Sequence, residues 1–438
     1  MSDLIEPRVL KGFRDSLPQK EIAKKEVEAI LEKVFTSFGF VPLDTPVLEY
    51  AEILLGKGGG ETDKQVYRFF DHGNRDVALR FDLTVPFARF IATHESELYF
   101  PFKRYHIAKV YRGENTQRGR YREFTQCDFD IVGSDTVSSD LEILLVMESS
   151  FKALGIEDLT FRFSHRGVFS YFLSKLDISN RTVEILRLVD KLPKIGGEAV
   201  QEQLSELTDP EKAEKILTFI SREENNERTL EKLQDLSGGT NPALDRLRDI
   251  CRLLSEGLSR SSFILDPSIT RGLDYYTGIV YETFLKDLPE IGSVCSGGRY
   301  DNLASLYTKT RMPGVGSSIG LDRLLAALEE LGKIGNKPSN TDLMILCLEE
   351  ELTGYYHSLA RDFREKGIAV EVFPEKRKIA GQFSFAEKKG IPFCLICGSA
   401  EKESGKVNLR RLSTRENLDS LSLEQAAGII TQGHAPKD

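Results

Sequence analysis

Residues 105–114 read YHIAKVYRGE and residues 122–133 read REFTQCDFDIVG, two short apolar or aromatic runs on either side of a turn-rich segment. The preceding run VALRFDLTVPFARFI (77–91) has the same texture. Such runs, separated by turns and not by helical crossovers, predict an antiparallel sheet in place of βαβ units. Working outward, SSDLEILLVMESSFKALG (138–155) predicts a helix in which Ser139 and Glu142 have capping-box spacing and Asp140 suits the N-terminal end. Upstream, QKEIAKKEVEAILEKVFTSFGF (19–40) sets Val27, Ile30, Leu31, Val34, Phe35 and Phe38 on one helical face, with Gly39 as the stop. The next run, FVPLDTPVLEY (40–50), is strand-like but carries Pro42 and Pro46, which are tolerated at a sheet edge or an interface. LLGKGGGETDKQVYRFFD (54–71) supplies a glycine-rich loop without the Gly-Lys-Ser/Thr ending of a phosphate-binding P-loop, so a turn is expected there.

Further along, residues 168–257 are rich in helix formers and read as a helical insertion. Strand texture resumes in SSFILDPSITRGLDYYTGIVYETFL (261–285) and IGSVCSGGRYDNLASL (291–306), and GVGSSIGLDRLLAALEEL (314–331) predicts a glycine-rich turn or strand entering a helix. Residues 331–342 have linker composition. Beyond them LMILCL, IAVEVF and IPFCLICG alternate with helical patterns, which predicts a small C-terminal α/β domain. The boundaries expected are 1–167 and 258–330 for two parts of one sheet domain, 168–257 for the insertion and 338–438 for the last domain.

The chain has 438 residues, 40% hydrophobic and 29% charged, with a net charge of −9 and no run of 18 apolar residues, so a globular protein is expected over a membrane or disordered one. The N-terminus lacks a basic-then-apolar signal pattern, and the six scattered cysteines fit a reducing compartment, so a cytoplasmic location is expected. Cys394 and Cys397 form a lone CxxC inside an apolar run and read as packing; no second pair and no HxxxH spacing predicts a metal site. The net charge argues against a generally basic nucleic-acid binder, but residues 103–122 carry seven Lys/Arg against the single Glu114. Charge that one-sided repels itself, and it points to a bound anion.

Three separated segments then line up. YRGENTQRGRYREFTQCDFD (111–130), RGLDYYTGIVYE (271–282) and GVGSSIGLDR (314–323) resemble the signatures of the histidyl-tRNA synthetases, a family of class II aminoacyl-tRNA synthetases. GFVPLDTP (39–46) is similar to the class II dimer-interface motif, and SGGRYD (296–301) to a second histidyl-specific block. The resemblance implies an α+β fold: a class II antiparallel sheet with flanking helices, a helical insertion and a C-terminal α/β anticodon-binding domain. It implies activation of L-histidine by ATP with Mg²⁺, transfer to tRNA(His), and a homodimer.

The residue roles carried over by the resemblance match what the chemistry needs. A carboxylate attacks the α-phosphorus of ATP, so fixed cations are required, and a planar guanidinium can grip two phosphate oxygens. Arg112 is implied at the α-phosphate, Arg323 at the γ-phosphate, and Arg271 at both the α-phosphate and the histidine carboxylate. Glu114 is implied near the adenine amino group and Phe124 on the base. The α-amino group falls to Asp82 and Thr84, on the strand after the glycine-rich loop, and to Gln126. A neutral imidazole offers one N–H and one bare nitrogen. The resemblance puts Asp130 at one edge and Tyr276 at the other, and counts Tyr275 with the histidine-binding residues, while strand alternation predicts that the Tyr275 side chain turns to the other face and packs. Arg118 and Arg120 are implied in the loop that meets the tRNA acceptor end.

Two departures stand out: many bacterial members carry a glutamate in a proline-glutamate-glycine-threonine segment where this chain has FDLT (81–84), and a glutamate in place of Asp130. Both keep the charge and shorten the reach by one methylene. The main rival is a catalytically silent paralogue, the regulatory subunit of ATP phosphoribosyltransferase. Such paralogues typically lack the C-terminal domain and erode the arginines that this chain retains.

Overall fold

The structure is a computed structural model that describes residues 4–56, 65–258, 262–270, 275–334 and 337–432. In chain order the strands of its larger part are β1 (Val41–Pro42), β2 (Leu48–Tyr50), β3 (Arg68–Phe70), β4 (Asp76–Leu79), β5 (Phe102–Tyr111), β6 (Glu123–Val132), β7 (Leu159–His165), β8 (Ser262–Leu265), β9 (Ile279–Leu285), β10 (Cys295–Tyr300) and β11 (Gly314–Gly320). Eight of them form one sheet in the order β1-β5-β6-β11-β10-β9-β7-β8, while β2, β4 and β3 make a small separate sheet. Neighbours in the large sheet are antiparallel except β1 with β5 and β7 with β8. The expected antiparallel sheet is present, and the proline-bearing β1 lies at its edge.

The period of two in β6 splits that strand's chemistry. Cys127, Phe129 and Ile131 enter the hydrophobic core with Val27, Leu31 and Phe35 of the helix Pro18–Ser37 and Ile143, Leu144 and Met147 of the helix Val137–Ala153. Phe35 and Phe129 meet with ring centroids 5.0 Å apart. Gln126, Asp128 and Asp130 therefore face the other side, because successive strand residues point oppositely.

Two local expectations are corrected. Thr84–His94 is a helix, so Asp82 and Thr84 lie at a strand-to-helix junction and not on a strand. Val85, Ala88 and Ile91 are buried at helical spacing, and Pro86 is tolerated because the first helical turn has no partner for its missing N–H. The helix Val137–Ala153 is capped by Thr136, whose side chain accepts from Ser139 N, and Glu142 instead pairs with Lys103. The capping side chain thus belongs three residues earlier than the Ser139–Glu142 spacing predicts.

Between β7 and β8 come the helices Arg166–Lys175, Thr182–Val189, Leu192–Leu207, Pro210–Ile220, Asn226–Ser237 and Pro242–Leu253. Asp209, Asn225 and Asn241 cap the last three through their side chains, as these residue types do best. Their apolar faces join the sheet's core; the rings of Phe172 and Phe219 stack at 4.3 Å. Asp140 is fully buried between Arg299 of β10, which donates at 2.9 and 2.7 Å, and Arg246 of the last helix, at 2.5 Å. A buried carboxylate needs such pairing to stay charged.

The chain divides into two compact units, residues 1–15 with 27–334 and residues 16–26 with 335–438. The second has a mixed sheet of β12 (Leu343–Ile345), β13 (Val370–Val372), β14 (Phe393–Ile396), β15 (Val407–Arg411) and β16 (Glu416–Leu421) in the order β13-β12-β14-β15-β16. Helices Thr353–Glu365, Ile379–Lys389 and Leu423–Gln432 complete it. Cys394 and Cys397 are core residues there, with burial pushing their thiols up to about 12 and about 11. Among the described residues no helix is long and apolar enough to cross a membrane.

Candidate active site

The cleft-facing side of β6 forms the floor of a cavity of about 600 Å³. Phe124, Gln126, Asp128 and Asp130 all line it, joined by Ser318 and Gly316 of β11, Tyr300 of β10 and Glu282 of β9. At ~3.4 Å per strand residue, Phe124 and Asp130 stand roughly 20 Å apart. The cleft is long enough for a nucleotide and an amino acid laid end to end.

Its Phe124 end is cationic. Arg112 donates through Nε to Phe81 O at 2.8 Å, and its guanidinium lies 5.1 Å from the centroid of the Phe124 ring. Arg323, in the first turn of the helix Leu321–Glu330, donates to Ser293 O at 2.6 Å. Burial, then Arg120 and Arg112, push its pKa down to about 10, against the opposing pull of Glu114 and Glu282. Arg120 stands 3.8 Å from Glu114. Gly119, at φ +68°, carries the loop past Arg323, where a Cβ would come within 3.1 Å of the Arg323 Cα. Arg118 is different: it pairs with Glu330 at 2.8 Å and does not line the cleft. Arg104, in the same basic run, is buried behind the carboxyls of the cleft's other end, and Lys109 pairs with Glu123, so the run resolves into cleft arginines and locally paired cations.

The Asp130 end is acidic and nearly dry. Asp82, Asp128 and Asp130 are each at most 3% exposed. Asp82 Oδ1 accepts from Val85 N at 3.0 Å, and burial raises its pKa against the pull of that N–H and of Arg112. Asp130 is held by Arg104, 2.8 Å away, and by the Tyr300 hydroxyl, which donates to Oδ1; burial still raises its pKa. Asp128 lies 3.9 Å from Arg104, and burial, reinforced by the Asp130 charge, lifts it to about 7. Among the described residues Arg104 pulls on all three carboxyls and Arg112 on Asp82, and desolvation still wins over attraction at each.

Thr84, Tyr275 and Tyr276 also line the cleft. Tyr275 and Tyr276 sit in a turn before β9, their ring centroids 4.7 Å apart, and Tyr275 interacts with the Thr84 and Tyr276 hydroxyls. Strand alternation therefore does not send Tyr275 to the opposite face, because the strand begins only at Ile279. Arg166 holds the turn by donating to the carbonyls of Thr270 and Tyr276 at 2.9 Å each. Arg271, with residues 272–274, and the core of the glycine-rich loop, residues 57–64, lie outside the described residues.

Asp128, Tyr300 and Arg104 are site residues that motif reasoning passed over. Asp128 had a signal, since it falls between Gln126 and Asp130 on the same face.

A family model for histidyl-tRNA synthetase matches residues 12–324, and one for an anticodon binding domain matches residues 342–432. The chain is 54% identical to the histidine–tRNA ligase of Treponema denticola over 90% of each protein. It is 49% identical to that of Treponema pallidum, covering 94% of this chain and 95% of the other. The crystal structure of histidyl-tRNA synthetase from Nostoc sp. PCC 7120 superposes with a TM-score of 0.87 at 32% identity, covering 98% of this chain and all of that one.

Proposed function

The chain belongs to the histidyl-tRNA synthetase family, and from that premise we propose that it activates L-histidine with ATP and transfers it to tRNA(His). The observation that carries this reading is a cleft with an arginine-rich end and a carboxyl-rich end, set along one strand. That polarity suits a triphosphate at one end and an amino acid carrying an ammonium and an imidazole at the other.

In this reading Phe124 stacks on the adenine and Glu114 accepts from its amino group. Arg112 grips the α-phosphate and Arg323 the γ-phosphate. Arg271 bridges the α-phosphate and the histidine carboxylate, offsetting the charge that builds as that carboxylate attacks phosphorus and pyrophosphate leaves. The weakly hydrated, partly buried cation of Arg323 gains most when an anion arrives. Asp82, Thr84 and Gln126 receive the α-ammonium. Asp130 faces one imidazole nitrogen, its carboxylate turned by Tyr300 and Arg104, and Tyr276 faces the other. Tyr275 braces Tyr276. A buried polar pocket of this type rejects ligands lacking the matching groups by up to about 10⁴–10⁵, so no editing step is needed.

Mg²⁺ would enter with ATP. Such ions keep most of their ligands on phosphate and water and take one or two carboxylates, for which Glu282 lines the phosphate end; the ion would neutralise charge on the phosphates.

For tRNA, Arg120 at the cleft and Arg118 on the same loop meet the acceptor end, and the domain 338–438 reads the anticodon. The parts 1–167 and 258–330 act as one catalytic domain interrupted by the insertion 168–257. The protein acts in the cytoplasm as a homodimer joined through residues 39–46 and their surroundings. Val41, Val47, Leu48 and Tyr50 are exposed there although apolar or aromatic, which a second copy would cover. The match to an anticodon binding domain runs against the regulatory-subunit reading. The test is charging of a tRNA(His) transcript with labelled histidine; a protein that forms adenylate but charges no tRNA(His) refutes the transfer step.

A further inference from the structure

Gln126 and Asp128 leave the same face of β6, and Ser318 of β11 lies directly across from Asp128. Gln126 Nε2 donates to Ser318 Oγ at 2.8 Å. The cross-strand register sets Ser318 beside the Asp128 carboxyl, whose charged form its hydroxyl favours. A hydroxyl has one proton to give. Given to Asp128, it leaves Oγ only lone pairs to offer Gln126, so the amide must turn its NH₂ toward Ser318. Its Oε1 is then left buried without a partner, as are Asp82 Oδ2 and Asp128 Oδ1. Bare acceptors on Asp82 and Gln126 at one end of a cleft suit a group that donates and cannot accept, which describes an ammonium.

We propose that Asp128 and Ser318 are positioning residues: their relay orients Gln126 so that its carbonyl oxygen, and not its NH₂, meets the α-ammonium of the amino-acid substrate. This rests on the histidine-activating reading. The relay also reverses with charge. A protonated Asp128 donates to Ser318, Ser318 then donates to Gln126 Oε1, and the amide turns its NH₂ into the ammonium's place. The groups that set the charge of Asp128 are Arg104 on β5, Asp130 on its own strand, Asp82 before the helix Thr84–His94 and Ser318 on β11. Burial places its titration at about 7, where the switch would be felt.

The experiment is calorimetric binding of two ligands to the full-length protein from pH 5.5 to 8.5: L-histidine, and 3-(imidazol-4-yl)propionate, which lacks only the amino group. The ammonium of histidine acidifies its imidazole relative to that of the propionate, so each free ligand's ring is titrated separately and the ratio is taken between Kd values for the neutral-ring form. In the wild type the ratio should favour histidine above pH 7 and lose that preference as the pH falls. Asp128→Asn can offer Ser318 either its NH₂ or its oxygen, so Gln126 loses its fixed orientation: histidine binding should weaken by roughly 10- to 100-fold, the worth of one charge-assisted contact, with a flat pH profile and an unchanged Kd for the propionate. Ser318→Ala, which fits the same space, should weaken histidine by about 3- to 10-fold, since the amide is then free to turn. Equal weakening of both ligands in either variant would show a merely structural role and overturn the relay while leaving the activity intact. A wild type that binds no histidine overturns the functional reading, and the relay with it.

Discussion

Gly316 allows the sharpest perturbation of the acidic end without touching a polar group. A Cβ there would lie 2.0 Å from Asp130 Oδ1, 2.4 Å from its Cγ and 2.7 Å from the Phe129 carbonyl oxygen. An ordinary carbon–oxygen contact is above 3 Å, and the backbone oxygen belongs to a paired strand, so in Gly316→Ala the carboxylate has to move by about 1 Å. That takes it off the Tyr300 hydroxyl and out of its 2.8 Å contact with Arg104. Overpacking plus one displaced charge-assisted bond should cost about 2–4 kcal/mol of stability. In the proposed placement of histidine the same displacement removes the acceptor for its imidazole N–H, so the KM for histidine in ATP–pyrophosphate exchange should rise by about 10- to 100-fold. The KM for ATP should stay within about threefold, since Phe124 lies roughly 20 Å along the strand. Urea unfolding gives the first number and exchange kinetics the others. A variant with wild-type stability and histidine KM would refute the placement of Asp130, and equal losses for both substrates would show global damage in place of a local one.

Arg271→Ala should lower adenylate formation by at least about 100-fold with the fold intact by circular dichroism, since the cation proposed at the reacting phosphoryl group is lost; near-normal pyrophosphate exchange would sink that role. Tyr276→Phe should raise the histidine KM by about tenfold and leave ATP unaffected, and parallel losses would argue that the hydroxyl does not meet the imidazole. His165 is a neutral buried base whose pKa is pushed to about 3 by burial and by Arg246 and Arg299. Unfolded histidine titrates near 6.5, so the unfolded chain binds the extra proton and stability falls as pH drops from about 6.5 toward 3, by at most ~1.4 kcal/mol per pH unit. His165→Asn keeps the acceptor that caps Gly167 N and should flatten this acid limb in pH-dependent urea titrations; an unchanged slope contradicts the assignment.

What the sequence made legible was whatever repeats locally. The strand β6, its two faces and the helix after it follow from period and caps. Val85, Pro86 and Phe87 imitate a strand in sequence, but the segment is a helix because its buried face packs and Asp82 supplies an acceptor to Val85 N. Strand alternation does not reach Tyr275, because the strand begins only at Ile279. Arg104 and Tyr300 stayed hidden for a different reason: their role comes from β5 and β10 meeting β6 and β11, and no window of sequence contains that meeting. The acidity of Asp128 is likewise a product of burial beside Asp130 and Arg104. The ordered motifs, by contrast, carried the family and brought Arg112, Phe124, Gln126, Asp130 and Arg323 into one cleft.

The most direct measurement is ATP–pyrophosphate exchange with each of the twenty amino acids at several Mg²⁺ concentrations, which isolates the first half-reaction without needing tRNA. The account predicts exchange with histidine alone. A folded protein that exchanges with none, or that prefers another amino acid, would contradict it.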